Sequence, residues 1–194
     1  KRIKMVDAIN EAKGIDVLSM TKQEIIDFMV KNDIDFDRKI SHSKGLLISA
    51  LFEETCESSL VQPTFVTEHP IDTTPLCKPL REYSMEQLEQ MKNDPEAVIF
   101  VERFEPYVNK WELGNSYTEL NDPVLQRALL EQQVERGRGG EEETHPMDED
   151  FLRAIEIGMP PTTGVGLGVD RLVMLLTNSQ TIRDVIFFPL MRQL

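Results

Sequence analysis

With 194 residues the chain is the size of one ordinary domain and is long enough to bury a substantial core. Its 34 acidic against 21 basic residues give a formal net charge of −13, which repels a phosphate backbone and excludes nucleic-acid binding spread over the whole sequence. Cys56 and Cys77 stand far apart without CxxC spacing, which excludes a disulfide framework and a zinc site.

The cysteines suit a reducing cytosol, and no apolar run approaches the roughly 20 residues of a membrane span, so a soluble, cytoplasmic protein is expected. The chain opens on Lys-Arg-Ile-Lys-Met without an initiator Met and reads as a fragment. Thr21-Lys-Gln-Glu24 is a capping-box pattern ahead of Ile25, Ile26, Phe28, Met29 and Val30, which predicts a helix over residues 21–32. Leu46, Leu47, Ala50, Leu51 and Phe52 recur at helical spacing within 43–58, and Pro63 follows as a stop. Thr64-Phe-Val-Thr67 is a β-rich run before His69-Pro70. Residues 97–104 and 111–120 read as strands joined by a short turn at Asn109-Lys110, an antiparallel hairpin.

Asp122-Pro123 supplies an N-cap and a first-turn proline for a helix that ends at Gly137-Arg-Gly-Gly140, and the passage on to Glu143 is expected to be a flexible loop. A helix over 148–157 is closed by Gly158 and Pro160-Pro161. Residues 164–169 then turn into the apolar segment 172–176, and 184–189 read as a buried strand. Hairpin strands mixed with packed helices predict an α+β fold, an antiparallel sheet flanked by helices.

Three groups of residues carry chemistry. Gly164-Val-Gly-Leu-Gly-Val-Asp-Arg-Leu172 is neither GxGxxG nor a GxxxxGK[ST] phosphate loop. Its glycines let a strand run close beneath a flat ligand, and Arg171 at the helix start can meet a phosphate with its planar fork. A glycine-rich turn with a structural Asp170-Arg171 pair is an equal reading from these residues alone. Asn115, Tyr117 and Glu119 share one strand face by the period-two rule, and an amide, an aromatic wall and a carboxylate are the groups that hold a lysine side chain. Alternation by itself favours an ordinary half-buried strand with a polar face.

Glu105 and Glu112 flank the turn. A two-residue turn sets Tyr107 against Glu112 and Glu105 against Gly114, so both carboxylates lie on one face and can share a Mg²⁺ with substrate phosphates; two surface acids are the alternative. In a regular strand Glu112 points away from Asn115, Tyr117 and Glu119. One pocket can use both sets only if the strand is bent, and Gly114 is where a bulge fits. His42, His69 and His145 lack a nucleophile partner or metal spacing and read as structural.

Residues 164–172 resemble motif 3 of class II aminoacyl-tRNA synthetases. The continuation Asn178-Ser-Gln-Thr-Ile-Arg-Asp-Val-Ile-Phe-Phe-Pro189, the run Asn115-Ser-Tyr-Thr-Glu-Leu-Asn-Asp-Pro123 and Thr74-Pro-Leu-Cys77 resemble the lysine-specific members. Asp170-Arg171 stands where aspartyl and asparaginyl relatives have Glu-Arg. The resemblance implies that residues 1–194 are the C-terminal portion of a class II catalytic domain, with motifs 1 and 2 and the anticodon-binding OB domain absent from the chain. It implies a lysine–tRNA ligase: ATP-dependent activation of L-lysine to lysyl-adenylate, then transfer to tRNA(Lys). It also implies a homodimer through the motif 1 region.

By the same resemblance Arg171 is catalytic, on the ATP phosphates, and Glu112, Gly166 and Gly168 join it in binding ATP. Asn115, Tyr117 and Glu119 hold lysine, with Glu119 on its ammonium, and Glu105 and Glu112 hold Mg²⁺. Two other readings are a paralogue that modifies a protein lysine and a non-catalytic partner-binding fragment. Residues 82–98 depart from the bacterial pattern of the resembled family.

Overall fold

The computed structural model describes residues 1–92, 94, 96–139 and 144–190. The chain opens with strand β1 (Arg2–Lys4) and helix α1 (Met5–Lys13), which ends on Gly14 in the left-handed conformation. Helix α2 (Lys22–Lys31) starts where the capping box predicts: Thr21 Oγ1 accepts from Glu24 N, and Glu24 reaches back to Thr21 N at 2.7 Å. Ser43 caps helix α3 (Lys44–Thr55), shorter than the expected 43–58 because the chain tightens into a 3-10 turn at Glu57–Ser59. Strand β2 (Thr64–Pro70) follows.

Residues 82–98, which no sequence pattern assigned, contain helix α4 (Met85–Lys92). The segment straps two elements together: Glu96 accepts from the free N–H of Lys22 in the first turn of α2, and the Tyr83 hydroxyl accepts from Phe100 N at 3.3 Å. Strand β3 (Phe100–Val108) starts and ends later than the expected 97–104. The return is two strands, β4 (Trp111–Glu112) and β5 (Gly114–Thr118). Asn109 and Lys110 both have positive φ, 54° and 70°, the geometry of a two-residue hairpin turn whose twist matches its strands.

Helix α5 (Pro123–Arg138) begins at Asp122, whose carboxylate accepts from Val124 N and Leu125 N, as the Asp-Pro signal predicts. The glycine-rich loop expected through Glu143 lies, from residue 140 on, outside the described residues. Helix α6 (Glu149–Gly158), strand β6 (Thr163–Leu167) and helix α7 (Val169–Thr177) complete the helices and strands of the described residues. The strand expected at 184–189 is not formed: Thr181 Oγ1 donates to Asp184 and the backbone closes a 3-10 turn at Ile182–Asp184, leaving Phe187 and Phe188 exposed. A strand-forming composition becomes a strand only against an edge that accepts it.

The sheet runs β1-β2-β3-β5-β6, with β4 paired to β3. It is antiparallel as expected except at one end, where β1 pairs parallel with β2 after the helical crossover. Helices α1, α2 and α3 cover that end with a core of Met5, Ile9, Ile25, Met29, Leu47 and Phe52. The core reaches the sheet at Val66 and Tyr107, where Phe52 meets the Tyr107 ring edge-on at 6.1 Å. The β5–β6 end of the same face is not capped by this core, and the side chains that carry chemistry stand there. Among the described residues no helix is long and apolar enough to cross a membrane.

Candidate active site

A register change builds the site. Near the turn, Tyr107 pairs with Glu112; farther along, Arg103 pairs with Tyr117 and Phe104 with Ser116, so the returning strand holds one residue more than its partner. Leu113 is the extra residue, and its N–H donates to Pro106 O at 2.8 Å. The bulge reverses the alternation, so Glu112 comes round to the face that carries Asn115, Tyr117 and Glu119. The expectation that Glu105 stands opposite Gly114 is corrected: continuing the Arg103–Tyr117 register sets Glu105 beside Asn115. The bend expected at Gly114 is present as a bulge at the adjoining Leu113, and it shifts the pairing by one residue.

Strand β6 lies beside β5, with Gly166 against Asn115 and Gly164 against Tyr117. Both glycines therefore fall on the site face and give it a flat floor. A Cβ on Gly164 would stand 3.0 Å from a Glu119 carboxylate oxygen, and one on Gly114 would overlap the Gly166 carbonyl oxygen. Gly114 therefore needs hydrogen as a side chain, whereas at Gly164 a methyl group would crowd the Glu119 carboxylate and force it to shift. Gly168 N donates to Leu113 O at 2.7 Å, which ties the start of α7 to the bulge.

Arg171 in the first turn of α7 donates from Nη1 to Glu112 O at 2.6 Å, and the same nitrogen is 3.6 Å from the Glu112 carboxylate. Its side chain is half exposed, with donors left over for an anion. Glu112, Gly114, Asn115, Gly166, Gly168 and Arg171 line one cavity of about 380 Å³.

Farther along the face, Glu105 is buried, with one oxygen on the Arg103 guanidinium and the other accepting from the Tyr107 hydroxyl at 3.0 Å. The Tyr107 oxygen is also 2.8 Å from Glu57 Oε1. These side chains, with His69 and Asp72, line a second cavity of about 780 Å³. Burial, with the Glu105 and Glu57 charges added, pushes the Tyr107 phenol far up, so the hydroxyl keeps its proton. Burial first, and the Glu105 charge second, raise the Glu112 carboxyl.

The Glu105 charge acts on Glu112 although the two line different cavities, and two carboxylates that repel one another suit a shared cation. Among the described residues no group of three or more His, Cys, Asp or Glu forms a metal cage. An acid pair plus phosphate oxygens is nevertheless the usual Mg²⁺ environment. Glu112 is open to solvent, and each Glu105 oxygen retains a second lone pair, so the pair fits such an ion.

Glu119 differs from the other acids. Its N–H donates to Thr162 O at 3.0 Å, and it bridges to Cys77 on the other side. Burial alone raises its carboxyl, and among the described residues no cation pairs with it. Burial pushes the Cys77 thiol up to about 11, so this neighbour stays neutral. Tyr117 stands two residues away on the same face.

The structure thus brings Glu105, Glu112, Asn115, Tyr117, Glu119, Gly166, Gly168 and Arg171 onto or beside one sheet face. Sequence reasoning missed Arg103 and Glu57. Arg103 shares the alternation of Glu105 and Tyr107 and was legible once β3 is extended to Val108. Glu57 reaches the site only because α3 ends over Tyr107. His69 is buried, with Nε2 3.3 Å from Val66 O; burial first, and the nearby Arg103 charge second, push its imidazole down to about 3.

The family model for class II tRNA synthetases (D, K and N) matches residues 1–192. The chain is 45% identical over 190 residues to a lysine–tRNA ligase of Saccharolobus solfataricus, covering 98% of this chain and 35% of the relative. It is 43% identical over 194 residues to the lysine–tRNA ligase of Bacillus subtilis, covering 100% and 36%, and 42% identical over 192 residues to that of Christiangramia forsetii, covering 99% and 31%. The chain therefore spans about a third of the length of the curated relatives it matches. A whole-chain family match and relatives of this identity, on a sheet that assembles the motif residues, show that the chain belongs to the class II tRNA synthetases of the D, K and N group.

Proposed function

We propose that this segment is the C-terminal portion of a class II catalytic domain and that a protein of the relatives' length carrying it activates lysine with ATP and loads it onto tRNA(Lys). The observation that carries the choice of lysine is Glu119, a half-buried carboxylate with no cation of its own among the described residues. An ammonium guest supplies the missing charge, the Tyr117 ring walls its aliphatic stem, and Gly164 leaves the carboxylate room.

Arg171 binds the ATP phosphates, with the backbone at Gly166 and Gly168 on the adenine side. Glu105 and Glu112 would hold the Mg²⁺ that neutralises phosphate charge. A lysine carboxylate oxygen bonds to the α-phosphorus as its bond to pyrophosphate breaks, giving lysyl-adenylate. A hydroxyl of the tRNA 3′-terminal adenosine then takes the lysyl group, and AMP leaves. No protein nucleophile is needed, because positioning and charge neutralisation lower this barrier. Homodimerisation and action in the cytoplasm complete the reading; two buried, unpaired cysteines suit the latter.

The test is amino-acid-dependent ATP–pyrophosphate exchange by that longer protein. Lysine should support exchange, and Arg171→Ala should lower the rate by about a hundredfold or more. Exchange driven by aspartate or asparagine in place of lysine, or near-normal exchange in Arg171→Ala, would overturn the assignment.

A further inference from the structure

The Arg103 guanidinium is mostly buried and donates to three different elements: Nε to Asn115 Oδ1 at 3.1 Å on β5, Nη1 to Thr73 Oγ1 at 3.3 Å in the turn after β2, and Nη2 to Glu105 on its own strand. A guanidinium has no acceptor, so the Asn115 atom that faces it must be the carbonyl oxygen, whichever way an amide could otherwise be placed. The Asn115 amide nitrogen is thereby left for the cavity, and among the described residues it has no partner. We propose that Arg103 is a positioning residue that fixes Asn115 as a hydrogen-bond donor to a substrate oxygen, while holding the Glu105 carboxylate in place. Through one planar fork it joins the amino-acid side of the site to the side that faces ATP.

This has a consequence for specificity. With Oδ1 facing Arg103, the Asn115 atom left for the cavity is its amide nitrogen, a donor that cannot accept a proton from the ammonium. Along the sheet face the Glu119 carboxylate then stands at one end, and donors stand at Asn115 and Arg171 in the cavity that Glu112 also lines, an arrangement suited to a molecule with a cation at one end and oxygens at the other. This inference rests on the proposed lysine and ATP site for the identity of the guest, but the Arg103–Asn115 contact is independent of it.

Two measurements on the longer protein separate these. The first is a double-variant cycle in Tm without ligand, using Arg103→Met and Asn115→Ala. The double variant should lose little more than Arg103→Met alone; additive losses would overturn the contact. The second is lysine and ATP affinity by calorimetry. Asn115→Asp keeps a partner for Arg103 and so should fold, but it replaces the donor by an acceptor. It should weaken whichever substrate supplies the oxygen by about tenfold or more: lysine if the oxygen is its carboxylate, ATP if it is a phosphate.

Tighter lysine binding, or unchanged binding of both substrates, would show that Asn115 is not the donor. Arg103→Lys keeps the charge beside Glu105 and loses the fork. It should hold Tm near wild type while lowering affinity as Arg103→Met does; a lysine variant with full affinity would reduce Arg103 to a structural role. If wild-type protein fails to bind lysine while the Tm cycle shows coupling, the lysine reading falls and the positioning role of Arg103 stands.

Discussion

The imidazole of His69 is 3% exposed and is kept neutral, with its pKa pushed from 6.5 to about 3 by burial and by Arg103. A group whose folded pKa lies below its unfolded one stabilises the fold above the unfolded value and loses that contribution as pH falls toward the folded value. The fold should therefore weaken between about pH 6.5 and 3 on account of His69. Glu57, Glu112 and Glu119 are raised by burial and act with the opposite sign, since protonation relieves them as pH falls. At about 1.4 kcal/mol per pKa unit the histidine effect is at most about 5 kcal/mol. His69→Gln should flatten the acid-side loss of unfolding free energy; a slope identical to wild type would show that another group carries it. At this scale the sequence was readable where chemistry follows alternation, as at Asn115, Tyr117 and Glu119. It was unreadable at Glu57, which reaches Tyr107 across fifty positions of chain through the packing of α3.

The bulge at Leu113 decides whether the strands make one site or two. Gly114 allows it, because β5 and β6 approach so closely that a methyl group there would overlap the Gly166 carbonyl. Gly114→Ala must push β6 away from β5 or undo the bulge, and overpacking of this kind costs about 1–3 kcal/mol. The variant should unfold at lower denaturant and bind ATP more weakly than lysine, since Gly166, Gly168 and Arg171 move with β6. Unaltered ATP affinity at full stability would show that the close approach is not needed. The turn at Asn109-Lys110, the caps at Thr21 and Asp122 and most helices follow from local signals that tertiary structure leaves intact. The break between β4 and β5 was marked by Gly114, whereas the parallel β1–β2 pair and the α4 strap do not follow from local signals, because each is set by a partner distant in sequence.

Over the whole molecule the two ends of the sheet differ. Helices α1–α3 bury the β1–β3 end, while Val165, Leu167 and Val169 at the other end are 81%, 55% and 65% exposed. The α+β class was legible because it depends only on hairpin and helix periodicities. The buried strand expected over 184–189 was not formed, because an apolar run specifies burial without naming the surface that provides it. Between the two ends lies a face whose charges are separated: Arg103 and Arg171 toward the acids near the hairpin, and Glu119 apart, without a cation among the described residues. We propose that this separation selects lysine. A charge-assisted hydrogen bond to a desolvated ammonium contributes about 1.5–3 kcal/mol, and stranding the ammonium costs more. Glu119→Gln keeps the shape and deletes the charge, so apparent lysine and ATP affinities should be measured in parallel by pyrophosphate exchange in the longer protein. The account predicts a loss of lysine affinity of about a hundredfold or more with ATP nearly unchanged; lysine affinity within a few-fold of wild type, or an equal loss for ATP, would contradict it.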